Sequence, residues 1–103
     1  MQKVILTIGH KVGSVDVLDD ATICQCVTST MHVDAFTAIP CMGMWRGVPE
    51  SSTRVEIVTD DPDSVTVHVP HLAWALNQEA IMCEVQEVNV TFPTPTIPAI
   101  TVA

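Results

Sequence analysis

The hydrophobic pattern at the start of the chain predicts a β-strand over residues 3–8. Val4, Leu6 and Ile8 alternate with other residues there, and a period of two places their side chains on one face of a sheet. Farther along, residues 16–31 carry apolar side chains at spacings of three and four, the pattern of a helix with one buried stripe. The predicted stripe consists of Val17, Leu18, Ala21, Cys24, Val27 and Met31.

Two more strands are predicted in the middle of the chain, over residues 35–41 and 53–59. Pro40 marks the first of them as an edge strand, a bulge or a strand end, because proline has no amide hydrogen to donate to a sheet. In the second, apolar side chains that face inward alternate with charged side chains that face outward. Residues 43–49, between the two strands, are predicted to form a loop.

The next segment carries two patterns at once. Residues 63–69 fit a strand by their alternating valines and a helix by their spacing to later apolar residues, and the choice between the two stays open. A helix is predicted over residues 70–77, where a proline in the first turn is harmless. A fourth strand is predicted over residues 80–86, with a bulge or short turn at 86–87 before the alternation resumes over 88–92.

This order of elements predicts an α+β protein with a ferredoxin-like fold, an antiparallel sheet with both helices on one face. A single domain then spans residues 1–92. Residues 93–103 form a proline-rich, extended C-terminal tail, whose apolar end at residues 100–103 is expected to pack on the domain or on a partner subunit. The uncovered sheet face and the sheet edges predict a homodimer or a higher homo-oligomer.

Charge and composition exclude several classes of partner. Twelve acidic residues against four Lys and Arg give a formal net charge of −8, which argues against binding to long nucleic acid, since that requires a basic surface. A small anion in one local pocket is still compatible with this charge. No apolar run approaches the length of a membrane span, and we expect a cytoplasmic protein whose four cysteines are reduced.

The strongest candidate for a ligand site is the segment Met44, Trp45 and Arg46, which two glycines bracket. Gly43 and Gly47 place few steric limits on the backbone, so that an aromatic side chain is presented beside a positive charge. That pair suits a phosphate-bearing nucleotide. The alternative is that Trp45 is a core or interface aromatic residue beside a turn.

Other candidate chemistry is sparse. Gln78 and Glu79, where the second helix meets a strand, are candidates for ligand contact, for a helix cap or for a bond to a neighbouring loop. Zinc would need the C-x-C and H-x-x-H pairs to converge, but the two cysteines of C-x-C point apart on a helix. A cysteine nucleophile would need a histidine in contact. These pairs and candidates are Cys24 with Cys26, His68 with His71, and Cys41 or Cys83 with His10, His32, His68 or His71.

Several short motifs of the chain resemble those of the phage-encoded anti-Thoeris sponge proteins. The resemblance extends over residues 3–92. The residues that carry it are the opening KVILTIGHKV, then Phe36, Thr37, Gly43, Trp45, Gly47, Glu50, Ser51, Ser52, Val55, Glu56, Ile57, Leu76, Asn77, Gln78, Glu79 and Ala80.

The resemblance implies a protein of the host bacterial cytoplasm that is not an enzyme and needs no cofactor or metal. It implies a protein that sequesters cyclic ADP-ribose isomers made by Thoeris TIR-domain proteins. Some relatives also bind cyclic oligonucleotides from CBASS defence, and the resemblance implies dimers that assemble into hexamers. The loop around Trp45 and Arg46 becomes the ligand site, with Arg54 as a phosphate contact. The ligand pocket is expected between subunits, because stacking and one ion pair fall short of nanomolar affinity.

The alternative hypothesis is a small structural or oligomerising interaction module with no small-molecule ligand. In that case the segment around Trp45 packs against a partner subunit.

Overall fold

The structure is a computed structural model that describes residues 1–96. Nine elements follow one another along this part of the chain. They are β1 (Gln2–Gly9), β2 (Lys11–Val12), β3 (Val15–Asp16), α1 (Asp20–Met31), β4 (Thr37–Trp45), β5 (Val48–Thr59), α2 (Pro62–Thr66), α3 (Val69–Ala75) and β6 (Met82–Glu87).

The main sheet has four strands in the order β4-β5-β1-β6, and every neighbouring pair is antiparallel. Helix α1 connects β1 to β4, and the helices α2 and α3 connect β5 to β6. This is the split arrangement of a ferredoxin-like fold, and it confirms the fold class predicted from the sequence.

One face of the sheet forms the hydrophobic core with the helices. Val4, Leu6 and Ile8 of β1 are fully buried there, as their alternation predicts. From the helices, Ile23, Val27 and Met31 of α1 and Val65, Leu72 and Leu76 of the second helical segment complete the cluster. Within residues 1–96, no helix packs on the opposite face of the sheet.

The first helix begins later than the sequence predicts, at Asp20 instead of residue 16. Residues 15–16 pair with β2 in a small hairpin, and Asp19 caps the helix by accepting a hydrogen bond from the Thr22 amide at 2.7 Å. Hydrogen bonds from Thr22 hold the pKa of the Asp19 carboxyl below its ordinary value. Because Val17 lies before the helix, its side chain is 57% exposed; the predicted stripe also omitted the buried Ile23.

The predicted loop at residues 43–49 is wrong, because β4 and β5 stay paired to their ends as one long hairpin. Trp45 pairs with Val48, and only Arg46 (φ 49°) and Gly47 (φ 78°) form the turn. Two successive residues with positive φ match the twist of the flanking strands. Pro49 is tolerated in β5 because the pairing of β5 with β1 ends at Ser52. Residue 49 therefore has no β1 partner to which an amide hydrogen would have to donate.

The ambiguous segment at residues 63–69 is helical, divided between α2 and α3. In β6 the register with β1 continues regularly through Glu87, so the predicted bulge at 86–87 is wrong. The alternation over 88–92 does not form a strand either. The expected packing of residues 100–103 lies outside the described residues. No helix within residues 1–96 is long and apolar enough to cross a membrane.

The core predicts a large effect for Leu72→Ala, since Leu72 of α3 is 0% exposed. Removing its buried methyl groups and leaving a cavity should lower the free energy of unfolding by about 2–5 kcal/mol, measured by chemical denaturation followed by circular dichroism. Met42→Ala is the control, because Met42 is 74% exposed and should change stability by less than about 0.5 kcal/mol. Equal losses in the two variants would contradict the packing of α3 on the sheet.

Candidate functional site

A cavity of about 400 Å³ opens on the sheet face that carries no helix, and we call it the main chamber. Its floor is formed by Thr7 and Gly9 at the end of β1 and by Ser52 of β5. One wall is the β4–β5 hairpin. The opposite wall is the segment 77–82, which leads from α3 into β6. The volume lies within the range of small-molecule sites.

Trp45 stands at the end of the hairpin wall and is 48% exposed. The alternative of a buried core aromatic is therefore wrong. The Arg46 guanidinium carbon lies 5.5 Å from the centroid of the indole ring, within cation–π range. The expected juxtaposition of an aromatic surface and a cation is present, on a strand end and turn instead of a loop.

Glu50 reaches the floor of the main chamber directly above Gly9. A methyl group added to Gly9 would lie 2.1 Å from Glu50 Oε1, so the carboxylate occupies the space that the missing side chain leaves. The Lys11 amide donates a hydrogen bond to Glu50 Oε1 at 3.2 Å. A carboxylate is thereby held in the chamber by the space above Gly9 and by the backbone N–H of Lys11, the first residue of β2.

The opposite wall is tied to the same point of the chain. The Gln78 side-chain amide donates to the Lys11 carbonyl oxygen at 2.9 Å. One residue, Lys11, thus binds Glu50 through its N–H and Gln78 through its C=O. Gln78 thus bonds a neighbouring segment, β2. Its side-chain amide also donates to the carbonyl oxygen of Leu76, the residue that ends α3, at 3.4 Å, and the residue lines the chamber.

The structure brings together most of the residues that the sequence singles out. Met44, Trp45 and Gln78 line the main chamber. A second cavity of about 330 Å³, which we call the side chamber, adjoins it and is lined by Arg46. Gly47 forms the hairpin turn and lines neither cavity.

Arg54 lines neither chamber, although it pairs with Thr7 at the floor of the main chamber. Its Nε donates to Glu56 Oε2 at 2.9 Å, on the part of the sheet where Lys3 Nζ is 3.3 Å from Glu56 Oε1. Because its charge is engaged by that carboxylate, Arg54 does not join the group around Trp45.

The sequence analysis missed Glu50 as a site residue. The sequence offers only a partial indication of this role, since Glu50 follows Pro49 and belongs to the motif that carries the resemblance. Nothing in the sequence shows that Gly9, forty-one positions earlier, lies beneath Glu50. That contact follows from the pairing of β1 with β5.

The charges around the two chambers are balanced and not basic. Glu50 and Glu79 line both cavities, while Lys11 and Arg46 line the side chamber. Arg46 Nη2 lies 3.7 Å from Glu79 Oε1, a loose and exposed ion pair. A ligand with several negative charges would meet two carboxylates here, so the electrostatics favour a cationic or zwitterionic ligand.

His10, which follows β1, belongs to a polar cluster that joins secondary-structure elements and is closed to a ligand. His10 Nε2 lies 2.8 Å from Thr53 Oγ1 and 3.4 Å from Asp20 Oδ1, and Thr53 also bonds Asp20. Thr53 is 0% exposed, so its hydroxyl cannot reach a ligand. The cluster joins the start of α1 to the sheet.

The cysteines and remaining histidines do not assemble into a site within residues 1–96. No group of three or more His, Cys, Asp or Glu side chains able to hold a metal occurs in that range. Burial, and secondarily Glu84, raises the pKa of the Cys83 thiol above its ordinary value, which makes this sulfur a poor nucleophile. His71 packs beside Trp74 and His32 beside His68.

Comparison with known proteins identifies relatives of the fold but not of the sequence. No protein-family model and no curated protein sequence matches the chain. A solved structure described as a phage SAM lyase in complex with S-methyl-5′-thioadenosine superposes with a TM-score of 0.72 at 14% identity, over 84% of this chain and 80% of that one. A phage SAM lyase in the apo state gives 0.63 at 19% identity, over 82% and 78%.

These neighbours correct one expectation and support another at a coarser level. The expectation that the chain is not an enzyme is contradicted, since the fold is shared with a lyase. The ligand named for the first neighbour, S-methyl-5′-thioadenosine, is a nucleoside. The comparisons give no support to the specific anti-Thoeris sponge family.

The contact between Gly9 and Glu50 predicts a coupling that a double-mutant cycle can measure. In the parent protein, Gly9→Ala forces the carboxylate out of its position and breaks the bond to the Lys11 amide. Gly9→Ala should therefore be less favourable by about 0.5–1.5 kcal/mol in the parent than in a Glu50→Ala background. Unfolding free energies of the four proteins give this difference, and the intrinsic effects of alanine on the strand cancel.

Gly43→Ala is the matched control for this cycle: Gly43 pairs with Glu50 across the β4–β5 ladder, but an added methyl group there would lie 3.3 Å from Ser52 Oγ and would have no Glu50 atom within 4 Å. Equal effects of Gly9→Ala with and without the Glu50 side chain would show that the carboxylate does not lie above Gly9.

Proposed function

We propose that the protein binds an adenosyl sulfonium in the main chamber and cleaves it as a lyase, releasing an adenosyl thioether. The observation that carries the proposal is the placement of the Trp45 indole and the Glu50 carboxylate in one cavity. Stacking on an exposed indole contributes about 1–3 kcal/mol per base. A fixed carboxylate accepts hydrogen bonds from ribose hydroxyls or faces a positively charged sulfur.

Charge supports a sulfonium over a phosphorylated nucleotide. The chain has a formal net charge of −8, and both carboxylates of the site line the main chamber. Such a field attracts a cation and opposes a pyrophosphate. The ligand named for the fold neighbour, S-methyl-5′-thioadenosine, is the neutral thioether that a sulfonium of this class leaves behind.

The reaction neutralises charge, and this suits a chamber that is partly shielded from water and lined, within residues 1–96, by carboxylates but by no cationic side chain. The bond between sulfur and the amino-acid chain breaks, its electron pair stays on sulfur, and the sulfonium becomes a neutral thioether. The departing fragment balances the charge by closing onto its own carboxylate or by losing a proton. Glu50 is the carboxylate in position to accept that proton, and the chamber's partial removal of water favours a step in which opposite charges disappear.

A second candidate is the binding of a cyclic ADP-ribose isomer, so that a bacterial defence signal is removed. The specific observation in its favour is the Arg46 guanidinium 5.5 Å from the Trp45 ring, because a stacked adenine would then have a cation beside its phosphates. The two carboxylates oppose it. Cyclic oligonucleotides, with more phosphates, are opposed more strongly.

The test combines binding and turnover. Titration calorimetry with S-methyl-5′-thioadenosine should give saturable binding, and incubation with S-adenosylmethionine should release the same thioether, detected by mass spectrometry. Trp45→Ala should weaken thioether binding by about 10- to 100-fold. Trp74→Ala is the control, since Trp74 is 77% exposed on α3 and lines neither chamber.

The possible results separate the candidates. Binding of a cyclic ADP-ribose isomer without binding of either adenosyl compound would replace the proposal by the second candidate. Absence of binding for all three would favour the interaction module. Equal losses for the two tryptophan variants would contradict the assignment of the main chamber.

A further inference from the structure

The side chamber has an unusual share of the positive charge of this protein. The chain has only four Lys and Arg residues, and two of them, Lys11 and Arg46, line this one cavity of about 330 Å³. The other two, Lys3 and Arg54, are both engaged by Glu56 on the sheet. In a protein of net charge −8, this concentration is not what an evenly mixed surface would produce.

The charges in the side chamber are only loosely satisfied by one another. Within residues 1–96, Lys11 Nζ has no carboxylate oxygen within 4 Å, and Arg46 has only the exposed contact of 3.7 Å to Glu79. Glu50 is held by a backbone amide, not by a cation. Two cations and two carboxylates, Glu50 and Glu79, therefore border one cavity without forming a closed network.

Arg46 also occupies a backbone conformation that arginine rarely adopts. Its φ of 49° is in the left-handed region, where the first residue of such a hairpin turn is usually Asn, Asp or Gly. The turn places the guanidinium beside Trp45 and the side chamber. The unfavourable backbone conformation of Arg46 thus coincides with the placement of its cation at the side chamber.

We propose that the side chamber binds the α-amino-acid end of the ligand whose adenosyl end occupies the main chamber. An amino-acid end carries one carboxylate and one ammonium group, and the chamber offers cations and carboxylates for both. Lys11 and Arg46 bind the ligand carboxylate, and Glu79 binds the ammonium group. The inference rests on the proposed function, because it assumes an adenosyl ligand in the main chamber.

The two chambers are placed so that one molecule can span them. Gly13, Trp45, Glu50 and Glu79 line both cavities, so the cavities adjoin along a common border. An adenine stacked on Trp45 with its sulfur near Glu50 would direct the rest of the molecule across that border. A free inorganic anion is a poorer match for the side chamber, because it would gain from two cations and be repelled by two carboxylates.

The experiment compares two neutral thioethers that differ in the group attached to sulfur. S-methyl-5′-thioadenosine has a methyl group, and S-adenosylhomocysteine has the full amino-acid chain. By calorimetry, the parent protein should bind S-adenosylhomocysteine at least about 10-fold more tightly, since charge-assisted hydrogen bonds are the strong ones. Lys11→Met and Arg46→Met should each remove most of that preference, measured as the ratio of the two affinities in the same variant, so that any effect of Arg46 on the Trp45 ring cancels.

Arg54→Met is the matched control, because it removes a cation that lies outside both chambers and should keep the preference. The main-chain groups of Lys11 that hold Glu50 and Gln78 persist in Lys11→Met. Should a variant fail to fold, the ratio of the two affinities in the parent protein still decides the question.

Each outcome has a separate meaning. If the methyl thioether binds and S-adenosylhomocysteine binds no more tightly, the amino-acid site is refuted while the proposed function stands. If the preference is present but survives both substitutions, the assignment to Lys11 and Arg46 is refuted. If neither thioether binds, the proposed function fails, and this inference fails with it.

Discussion

The site depends on one residue, Lys11 at the start of β2, whose backbone binds two separate segments. The N–H of Lys11 binds the Glu50 carboxylate and its C=O binds the Gln78 side chain, so that the β5 strand and the segment before β6 are fixed on either side of the same backbone. Gly9 makes this possible because any larger residue would occupy the space of the carboxylate. The His10 cluster with Thr53 and Asp20 holds the same stretch from the helix side. The chamber is therefore built by the fold and does not require a ligand to assemble it.

The distribution of charge gives this chamber its chemical character. The protein has four Lys and Arg residues and twelve acidic residues. Two of the four cations form ion pairs with Glu56 on the sheet, and the other two border the side chamber. A polyanionic ligand would have to overcome both the general field and the two local carboxylates. A molecule with a flat base, a positively charged sulfur and a zwitterionic end meets a complementary surface at each of these points.

The sequence predicted the fold well because the fold is encoded locally. The alternation in β1, the spacing in α1 and the order of elements are enough to give the ferredoxin-like arrangement. The glycine bracket singled out Trp45 and Arg46, and the structure places both beside the two chambers. Errors arose where tertiary pairing overrides local signals: residues 43–49 continue as strands because a two-residue turn closes the hairpin. Glu50 was missed because its position depends on the pairing of strands that are distant in sequence. The emphasis on phosphate followed from a cation beside an aromatic ring and did not weigh the carboxylates that share the cavity.

The most direct test of the account is a crystal structure of the protein grown with S-methyl-5′-thioadenosine. We expect the adenine to stack on the Trp45 indole in the main chamber, with the ribose or the sulfur next to Glu50 and any hydrogen bonds to that carboxylate about 2.5–3.2 Å long. A nucleoside bound elsewhere on the sheet or helices, with the space between Trp45 and Glu50 closed or filled by side chains, would contradict it.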